Sequence, residues 1–139
     1  MSGGVYAAVF VLAAQRRIRI GRLGRFDFPA GRYVYVGSAQ RNLSARLVRH
    51  GHRWKTQHWH IDYFSRWTRL ESAWAWPRPK ADECRLAWAI ATLPGTVPGP
   101  AGFGTSDCHC ATHLYRLNGP LEPKALATLD LRWAGAVRV

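Results

Sequence analysis

Residues 32–50, RYVYVGSAQRNLSARLVRH, predict how the rest of the chain is organised. Residues 33–36 are β-branched or aromatic, which favours a strand, and Gly37 breaks that pattern. A helix is expected next, because Asn42 is a plausible N-cap for the apolar positions that follow it. Gly51 stands where such a helix would end. The stretch therefore predicts a strand, a glycine turn and a helix.

The predicted helix carries a basic flank. Its members are spaced so that they lie on one side of a helix: Asn42, Arg46, Arg49 and Arg53, with His50 one turn beyond Arg46. A basic helix directly after a tyrosine-containing strand is a suitable surface for binding phosphate.

Charge and length limit the class of protein. The chain has 139 residues, enough for one domain, residues 1–139, with a single core. Its formal net charge is +12, and residues 1–60 contain eleven Lys and Arg against one acid, Asp27. Self-repulsion for solubility explains a net charge but not its concentration in one half. Nucleic acid is therefore the expected partner, with DNA favoured and RNA left open.

Cysteine content and hydropathy predict a location. The three cysteines, Cys84, Cys108 and Cys110, are an odd number without the spacing of a disulfide framework, which favours a reducing cytoplasm. The apolar run at residues 5–14 is too short to span a membrane and is interpreted as a buried strand.

The first half of the chain resembles strands joined by tight turns. Residues 4–12 form a continuous apolar run, typical of a strand buried on both faces. Residues 17–20 alternate between arginine and isoleucine, so one face is expected to meet solvent or phosphate. Turn residues on either side of residues 26–28 predict another short strand.

The second half adds helices. Residues 70–76 predict a strand, and Asp82 is expected to cap a helix with Glu83 in its first turn. The remaining expected elements are a loop without strand periodicity at 94–106, a strand at 114–117, and a short helix at 123–129 in an otherwise uninterpreted tail, 118–139. The predicted fold is α/β, a small, mostly antiparallel central sheet flanked by helices.

Separated motifs that occur in a fixed order carry a family resemblance. Gly4-Val5-Tyr6, Tyr35-Val36-Gly37, Arg46, His50 and Glu83 occur in the order found in the GIY-YIG endonuclease superfamily. The segments YVYVGSA, HWHIDYF, ECRLA and GFGTSDCHCATHL resemble an uncharacterised branch that is sometimes attached to endonuclease III-type proteins. The matching motifs cover residues 4–117. The long separation between the two tyrosines predicts a hairpin inserted at residues 16–28.

The resemblance implies a metal-dependent DNA endonuclease that prefers particular DNA structures or lesions, with five site residues. Tyr6 would be the general base and Tyr35 its partner, which requires positive charge to lower the phenol pKa from near 10. Arg46 would supply that charge and grip the phosphate, and His50 would assist or relay the proton. Glu83 would bind one Mg²⁺ or Mn²⁺ ion. The shortage of acids fits one metal rather than two, since the chain has only eight Asp and Glu.

Each of these residues also has a structural interpretation. Tyr6 and Tyr35 fit core aromatics, Arg46 and His50 fit a solvated face, and Glu83 fits a first-turn acid that complements the helix dipole. The downstream asparagine of many superfamily members has no clear counterpart. Two rival functions therefore stay open: a non-catalytic nucleic-acid-binding module on the same scaffold, and a zinc-stabilised interaction domain.

Further residues are candidates for nucleic-acid and metal contacts. The expected nucleic-acid contacts are Arg41, Arg49, Arg53 and Lys55. Core and edge packing is the favoured interpretation of Trp54, Trp59 and Trp67, and stacking on unpaired bases is the alternative. A second metal or structural site is one interpretation of His58, His60, Asp62, Asp107, Cys108, Cys110 and His113. The alternative is that these segments shape substrate choice or brace the main site. Against zinc, C-x-C lacks the spacer of common zinc knuckles, and free cysteines are often buried hydrophobes. We therefore expect Mg²⁺ or Mn²⁺ rather than zinc.

Overall fold

The computed structural model describes residues 2–139. Its strands and helices, in chain order, are β1 Gly4–Leu12, β2 Arg16–Ile20, β3 Gly24–Phe28, β4 Gly31–Ala39, α1 Leu43–Gly51, α2 His60–Ser65, β5 Arg69–Trp76, α3 Glu83–Ala91, β6 Val97–Pro98, β7 Leu114–Leu117, α4 Pro123–Leu129 and β8 Val137–Arg138. Short 3₁₀ turns lie at Gly21–Leu23, Lys80–Asp82 and Leu131–Trp133.

Six strands form one antiparallel sheet in the order β6-β7-β4-β1-β5-β8. The apolar strand β1 lies inside it between β4 and β5, which is why its sequence is hydrophobic on both faces. Four helices flank the sheet. The predicted α/β fold with a mostly antiparallel sheet is confirmed.

The alternation of β1 divides the core in two. Tyr6, Ala8 and Phe10 point into a core shared with α1, α2 and the β2–β3 hairpin. Val5, Ala7 and their alternating neighbours point to the opposite face, where α3, α4 and Trp76 pack. The helices are therefore held on opposite faces of one sheet, as side chains of a strand alternate with a period of two.

The C-terminal tail completes the second core. Leu126 and Trp133 are buried there, and the Trp76 indole donates a hydrogen bond of 2.8 Å to the Trp133 carbonyl oxygen. The last strand, β8, extends the sheet by pairing with β5. The helix predicted at residues 123–129 is confirmed, and the tail that the sequence left uninterpreted is a structural part of the domain.

The predicted insertion between the two tyrosines is a hairpin. β2 and β3 pair antiparallel as a separate two-stranded sheet. Ile18 and Ile20 are buried under α2, while Arg17 and Arg19 are exposed, as the alternation predicted.

Three local predictions are wrong. Asn42 precedes α1 but its side chain caps nothing; its backbone is left-handed at φ 53°, and only its carbonyl accepts a bond from the Arg46 N–H. Asp82 likewise makes no side-chain cap, because its carboxylate pairs with Arg78 at 2.8 Å. The loop at 94–106 includes the two-residue strand β6, which pairs with β7 at the sheet edge.

Among residues 2–139, no helix has the length and apolar character needed to cross a membrane.

Candidate functional site

A cavity of about 380 Å³ opens at the end of the sheet where β1 begins and β4 ends. Tyr6 on β1, Tyr35 on β4, Arg46 on α1 and Glu83 at the start of α3 line it. These four residues, far apart in sequence, were the ones predicted to converge, and the structure brings them together. His50, the fifth predicted site residue, lies behind Tyr6.

The Tyr6 hydroxyl and His50 Nε2 are hydrogen-bonded at 2.8 Å, and both side chains are buried. The Tyr35 ring lies beside them, its centroid 6.3 Å from that of Tyr6. Gly37 makes room for the phenol, because a Cβ there would lie 2.5 Å from the Tyr6 oxygen. The predicted glycine turn is wrong, because Gly37 lies within β4 opposite Tyr6. Glycine at this position is a packing requirement.

Burial changes the acid–base properties expected for the tyrosines. Desolvation raises the pKa of both Tyr6 and Tyr35 above the usual value, and the positive charge of Arg46 offsets only part of that rise. Burial also lowers the pKa of His50 to about 3, with further lowering from Lys55, so its imidazole is neutral near pH 7. The expectation that Arg46 lowers a phenol pKa enough for a phenolate is wrong: the phenol is neutral and hydrogen-bonded to a neutral imidazole.

Arg46 is fixed from two sides. Its Nη1 donates a 2.8 Å hydrogen bond to the Ser38 carbonyl oxygen, and its guanidinium lies 4.6 Å from the centre of the Trp59 ring. No carboxylate pairs with it among the ion pairs of residues 2–139. A cation that faces a cavity without an acid partner retains its donors for an incoming anion.

Glu83 lies at the first turn of α3, with its side chain 15% exposed. Its Oε2 accepts a 2.5 Å hydrogen bond from the Ser38 hydroxyl, and its Oε1 lies 3.0 Å from His113 Nδ1. Buried His113 Nδ1 makes no regular hydrogen bond, so the Glu83 carboxylate is the polar group it approaches. The carboxylate thus borders the cavity on one side and a second group of residues on the other.

That second group is a cluster of Cys84, Cys108, Cys110 and His113, whose ligand atoms all lie within 4.8 Å of one another. His113 Nε2 is 3.7 Å from the Cys84 sulfur and 3.6 Å from the Cys108 sulfur. Three thiols and an imidazole at these distances can hold a metal ion. Sequence proximity groups Cys108, Cys110 and His113 correctly but misses Cys84.

The histidines and acids expected to complete that group have other roles. Asp62 is fully buried and takes a two-pronged ion pair from Arg49, at 2.7 and 3.0 Å. The Asp62 carboxylate also accepts hydrogen bonds from the backbone N–H groups of His58 and Trp59, just before α2. It therefore caps the start of that helix. The prediction that it belongs to a metal site with the cysteines is wrong, because its oxygens are already satisfied.

His60 and Asp107 are likewise engaged elsewhere. The Gly104 N–H donates to His60 Nδ1 at 2.8 Å, which ties the loop before β7 to α2 and places the remaining imidazole proton on Nε2. Asp107 pairs with Lys80 at 2.9 Å on the cavity rim. Together with His58, these residues line the cavity and belong to its wall, not to the cysteine cluster.

One comparison with known proteins identifies a family. The sequence profile described as "Domain of unknown function DUF123" matches residues 5–131. The chain belongs to this family. No curated protein and no solved structure matches it.

The predicted nucleic-acid contacts of this DUF123 domain divide into free and engaged groups. Arg41 is exposed and makes no side-chain ion pair within residues 2–139. Arg49 is held by Asp62, and the Lys55 ammonium donates to the Arg49 carbonyl oxygen at 2.8 Å. Desolvation lowers the pKa of Lys55 to about 8. Arg53 approaches the Thr68 carbonyl at 3.4 Å. Arg49 and Lys55 therefore brace the cavity wall, which sequence spacing alone did not reveal.

A second, more basic groove lies on the hairpin side of the DUF123 domain. It has a volume of about 410 Å³ and adjoins the same segment, 57–67, that walls the first cavity. Its cationic and aromatic lining consists of Arg16, Arg17, Arg19, Arg25, Arg66, Tyr63 and Trp67.

The tryptophans near the basic region are surface residues. Trp54, Trp59 and Trp67 are 75, 39 and 40% exposed, so they are not core residues, whereas the predicted packing at the edge of the domain agrees with their exposure. Each carries a stacked guanidinium: Arg66 lies 4.3 Å from the Trp54 ring centre and Arg16 lies 3.4 Å from that of Trp67. Exposed aromatic faces beside cations are suited to stacking on unpaired bases.

Proposed function

We propose that this DUF123 domain is a metal-dependent endonuclease that hydrolyses phosphodiester bonds in DNA, with a preference for distorted or damaged structures. The observation that carries the proposal is the convergence of Tyr6, Tyr35, Arg46 and Glu83, from four elements, on one open cavity. The order of the same residues along the chain, with its resemblance to GIY-YIG endonucleases, supports it independently.

The cation and the carboxylate supply the two electrostatic requirements of phosphodiester hydrolysis. In the proposal, Arg46 binds the phosphate and stabilises the negative charge that grows on its oxygens. Its orientation by Trp59 and the Ser38 carbonyl is already set before substrate arrives. Glu83 would hold one Mg²⁺ or Mn²⁺ ion through a carboxylate oxygen, the ligand type that these hard cations prefer. That ion would activate water and assist the departing oxygen.

Tyr6 and His50 act as a pair in this proposal. A phenol with a raised pKa is a poor base, and an imidazole whose pKa is lowered to about 3 is a poor final acceptor for its proton. The hydrogen bond to His50 Nε2 would instead fix the Tyr6 hydroxyl so that its oxygen accepts a hydrogen bond from the attacking water. The tyrosine would therefore orient the water without becoming a phenolate. Tyr35, packed against both rings, would position the pair.

Distorted DNA is the favoured substrate because of the surface around the cavity. The second basic groove gives a path for a phosphate backbone along the segment 57–67. The exposed rings of Trp54, Trp59 and Trp67 suit bases that have lost their stacking partners. Regular duplexes offer no such bases.

The proposal is tested by cleavage of supercoiled plasmid and branched or damaged duplexes with Mg²⁺, Mn²⁺ or a chelator. Cleavage is expected only with metal, and Glu83→Gln is expected to abolish it without changing the fold measured by circular dichroism. Glu122→Gln is the matched control, since that carboxylate is exposed in the loop before α4. Cleavage that persists in Glu83→Gln would overturn the assignment of the metal. Tight, salt-sensitive binding of DNA or RNA without cleavage would favour the binding-module alternative.

A further inference from the structure

We propose that Cys84, Cys108, Cys110 and His113 bind a zinc ion that holds the loop before β7 against the start of α3. This site is separate from the Mg²⁺ or Mn²⁺ ion of the proposed reaction. Its ligands come from two segments, the start of α3 and the loop before β7. Within residues 2–139, no other group of three or more His, Cys, Asp or Glu side chains has metal-binding spacing.

The distances fit tetrahedral zinc. Zn–S bonds of about 2.3 Å and Zn–N bonds of about 2.05 Å place sulfur and nitrogen ligands about 3.6 Å apart around a tetrahedron. The sulfur atoms of Cys84 and Cys108 lie 3.7 and 3.6 Å from His113 Nε2. The four ligand atoms therefore surround a space of the right size with only small adjustment.

The ligand types select zinc over the harder cations. Thiolate and imidazole ligands suit zinc, whereas Mg²⁺ and Mn²⁺ favour oxygen. No disulfide joins the three cysteines. Zinc with three thiolates and one neutral imidazole carries a net charge of about −1, which a strongly basic chain accommodates. Because all four positions are filled by protein, the ion would be structural and would leave no open position for substrate.

The loop is shaped to present these ligands. The His113 N–H donates to the Phe103 carbonyl at 2.8 Å, and the Gly102 N–H donates to the Ala111 carbonyl at 2.7 Å. These bonds bring the two ends of the loop together so that Cys108 and Cys110 face Cys84. The C-x-C spacing, which argued against a zinc knuckle, fits a site whose remaining thiol comes from a helix.

The zinc ion would also orient the catalytic carboxylate, a consequence that rests on the proposed function. Zinc-bound histidines commonly direct their other ring nitrogen at a carboxylate, and His113 Nδ1 lies 3.0 Å from Glu83 Oε1. Cys84 follows Glu83 directly, so the ion would fix the helix start as well. His113 is in this sense a positioning residue for Glu83.

Elemental analysis of the full chain tests the zinc site. Wild-type protein from zinc-supplemented cells is expected to contain stoichiometric zinc, and replacement by Co²⁺ is expected to give thiolate-to-metal charge-transfer absorption. Cys108→Ser and His113→Ala are expected to lose the metal, while His109→Ala, an exposed histidine in the same loop, is expected to keep it. Because the first two variants could misfold, thiol titration of the wild type is the second measurement: its thiols should react slowly until a strong chelator is added.

Three outcomes would overturn the site: wild-type protein without zinc or a cobalt charge-transfer band, thiols that react equally fast with and without chelator, or full zinc content in both Cys108→Ser and His113→Ala. Glu83→Gln is expected to keep its zinc, which separates this inference from the proposed nuclease. A wild type that holds zinc but cleaves nothing would refute the nuclease and support the zinc site.

The positioning role has its own measurement. In folded His113→Ala, the Mg²⁺ concentration for half-maximal cleavage is expected to rise by about 10-fold to 100-fold. Simple loss of folded protein would lower the maximal rate without changing that concentration. An unchanged Mg²⁺ requirement would therefore remove His113 from the positioning of Glu83.

Discussion

The two groups that meet at Glu83 differ in how completely they surround a metal. On the cavity side, one carboxylate, a cation and a phenol–imidazole pair face a space open to solvent. On the other side, three thiols and an imidazole enclose a small volume by themselves. A metal ion with few protein ligands keeps positions open for water and substrate, whereas an ion with four protein ligands stabilises the fold. This contrast is the basis for proposing a reaction at the open group and a structural ion at the closed one.

Metal exchange is the change with the largest expected effect, because it treats the two groups differently. Brief treatment with a weak chelator is expected to stop cleavage completely, and added Mg²⁺ is expected to restore it while the zinc content stays constant. An ion held by one carboxylate and water exchanges readily, whereas one held by four protein ligands is retained. Cleavage and elemental analysis on the same samples measure both. Recovery that requires zinc instead of Mg²⁺ would reverse the assignment.

Removing the cavity cation gives the next largest effect. Arg46→Ala is expected to reduce the cleavage rate by about 100-fold to 1000-fold, equal to roughly 3 to 4 kcal/mol of transition-state stabilisation, because the phosphate loses its preorganised donor. Single-turnover kinetics with Arg69→Ala as the control measure the loss, since Arg69 is an exposed arginine on β5 outside the cavity lining. Equal rates for the two variants would contradict the role of Arg46.

The open group was the more predictable of the two from sequence, for a physical reason. Several members lie on elements with a clear local pattern: Tyr6 within an apolar strand, Tyr35 within another, and Glu83 at a helix start. Their meeting depends on a sheet whose strands are predictable from hydrophobic periodicity. The resemblance to GIY-YIG endonucleases then indicated which residues of these elements belong to one site, which hydrophobic periodicity alone cannot show.

The closed group and the cavity wall depend on tertiary contacts that no local pattern encodes. Cys84 joins Cys108 only because α3 and the loop before β7 pack together. Helical spacing predicts that Arg49 is a free cation, yet a buried Asp62 thirteen residues later takes its charge. Burial also reversed the expected acidity of Tyr6, since desolvation outweighs a nearby arginine. Each of these errors concerns a tertiary neighbour or the dielectric environment, not secondary structure.

The cavity wall gives a smaller expected effect, on stability. Asp62→Asn is expected to lower the free energy of unfolding by about 2 to 3 kcal/mol, because Arg49 loses its charge partner and the start of α2 loses a charged cap. Chemical denaturation measures this, with Asp27→Asn as the control: that carboxylate pairs with Arg17 on the exposed hairpin, so little change is expected. Zinc content should be the same in both variants. Loss of zinc in Asp62→Asn would mean that the cavity wall also stabilises the cysteine cluster.

The neutral imidazole of the open group predicts a pH dependence of stability. The pKa of His50 is lowered by burial to about 3 in the folded protein, so below its unfolded value near 6.5 the unfolded chain binds the extra proton. Stability is therefore full above that unfolded pKa and falls as the pH decreases towards 3, by about 2 kcal/mol at pH 5.

The His50→Gln variant measures this contribution. It is expected to be less stable than wild type at pH 7, since a buried packing group is altered, but to lose less stability between pH 7 and pH 5. Denaturation curves at several pH values compare the two slopes. Parallel slopes would mean that the pKa of His50 is the same in the folded and unfolded chain, which would contradict the lowering of that pKa by burial.

The smallest expected effect separates substrate binding from both metal groups. Arg16→Gln with Arg25→Gln, in the second basic groove, is expected to weaken DNA binding and to reduce the slope of log K against log salt by about one for each phosphate that the protein no longer neutralises. The cleavage rate of bound DNA and the zinc content should not change, because neither arginine touches the cavity or the cysteines. Arg78→Gln, outside both cavities and paired with Asp82, is the control for the loss of a single positive charge elsewhere on the surface. Equal salt slopes for the double variant and wild type would mean that DNA approaches the cavity by another path, such as the exposed Arg41 side of α1.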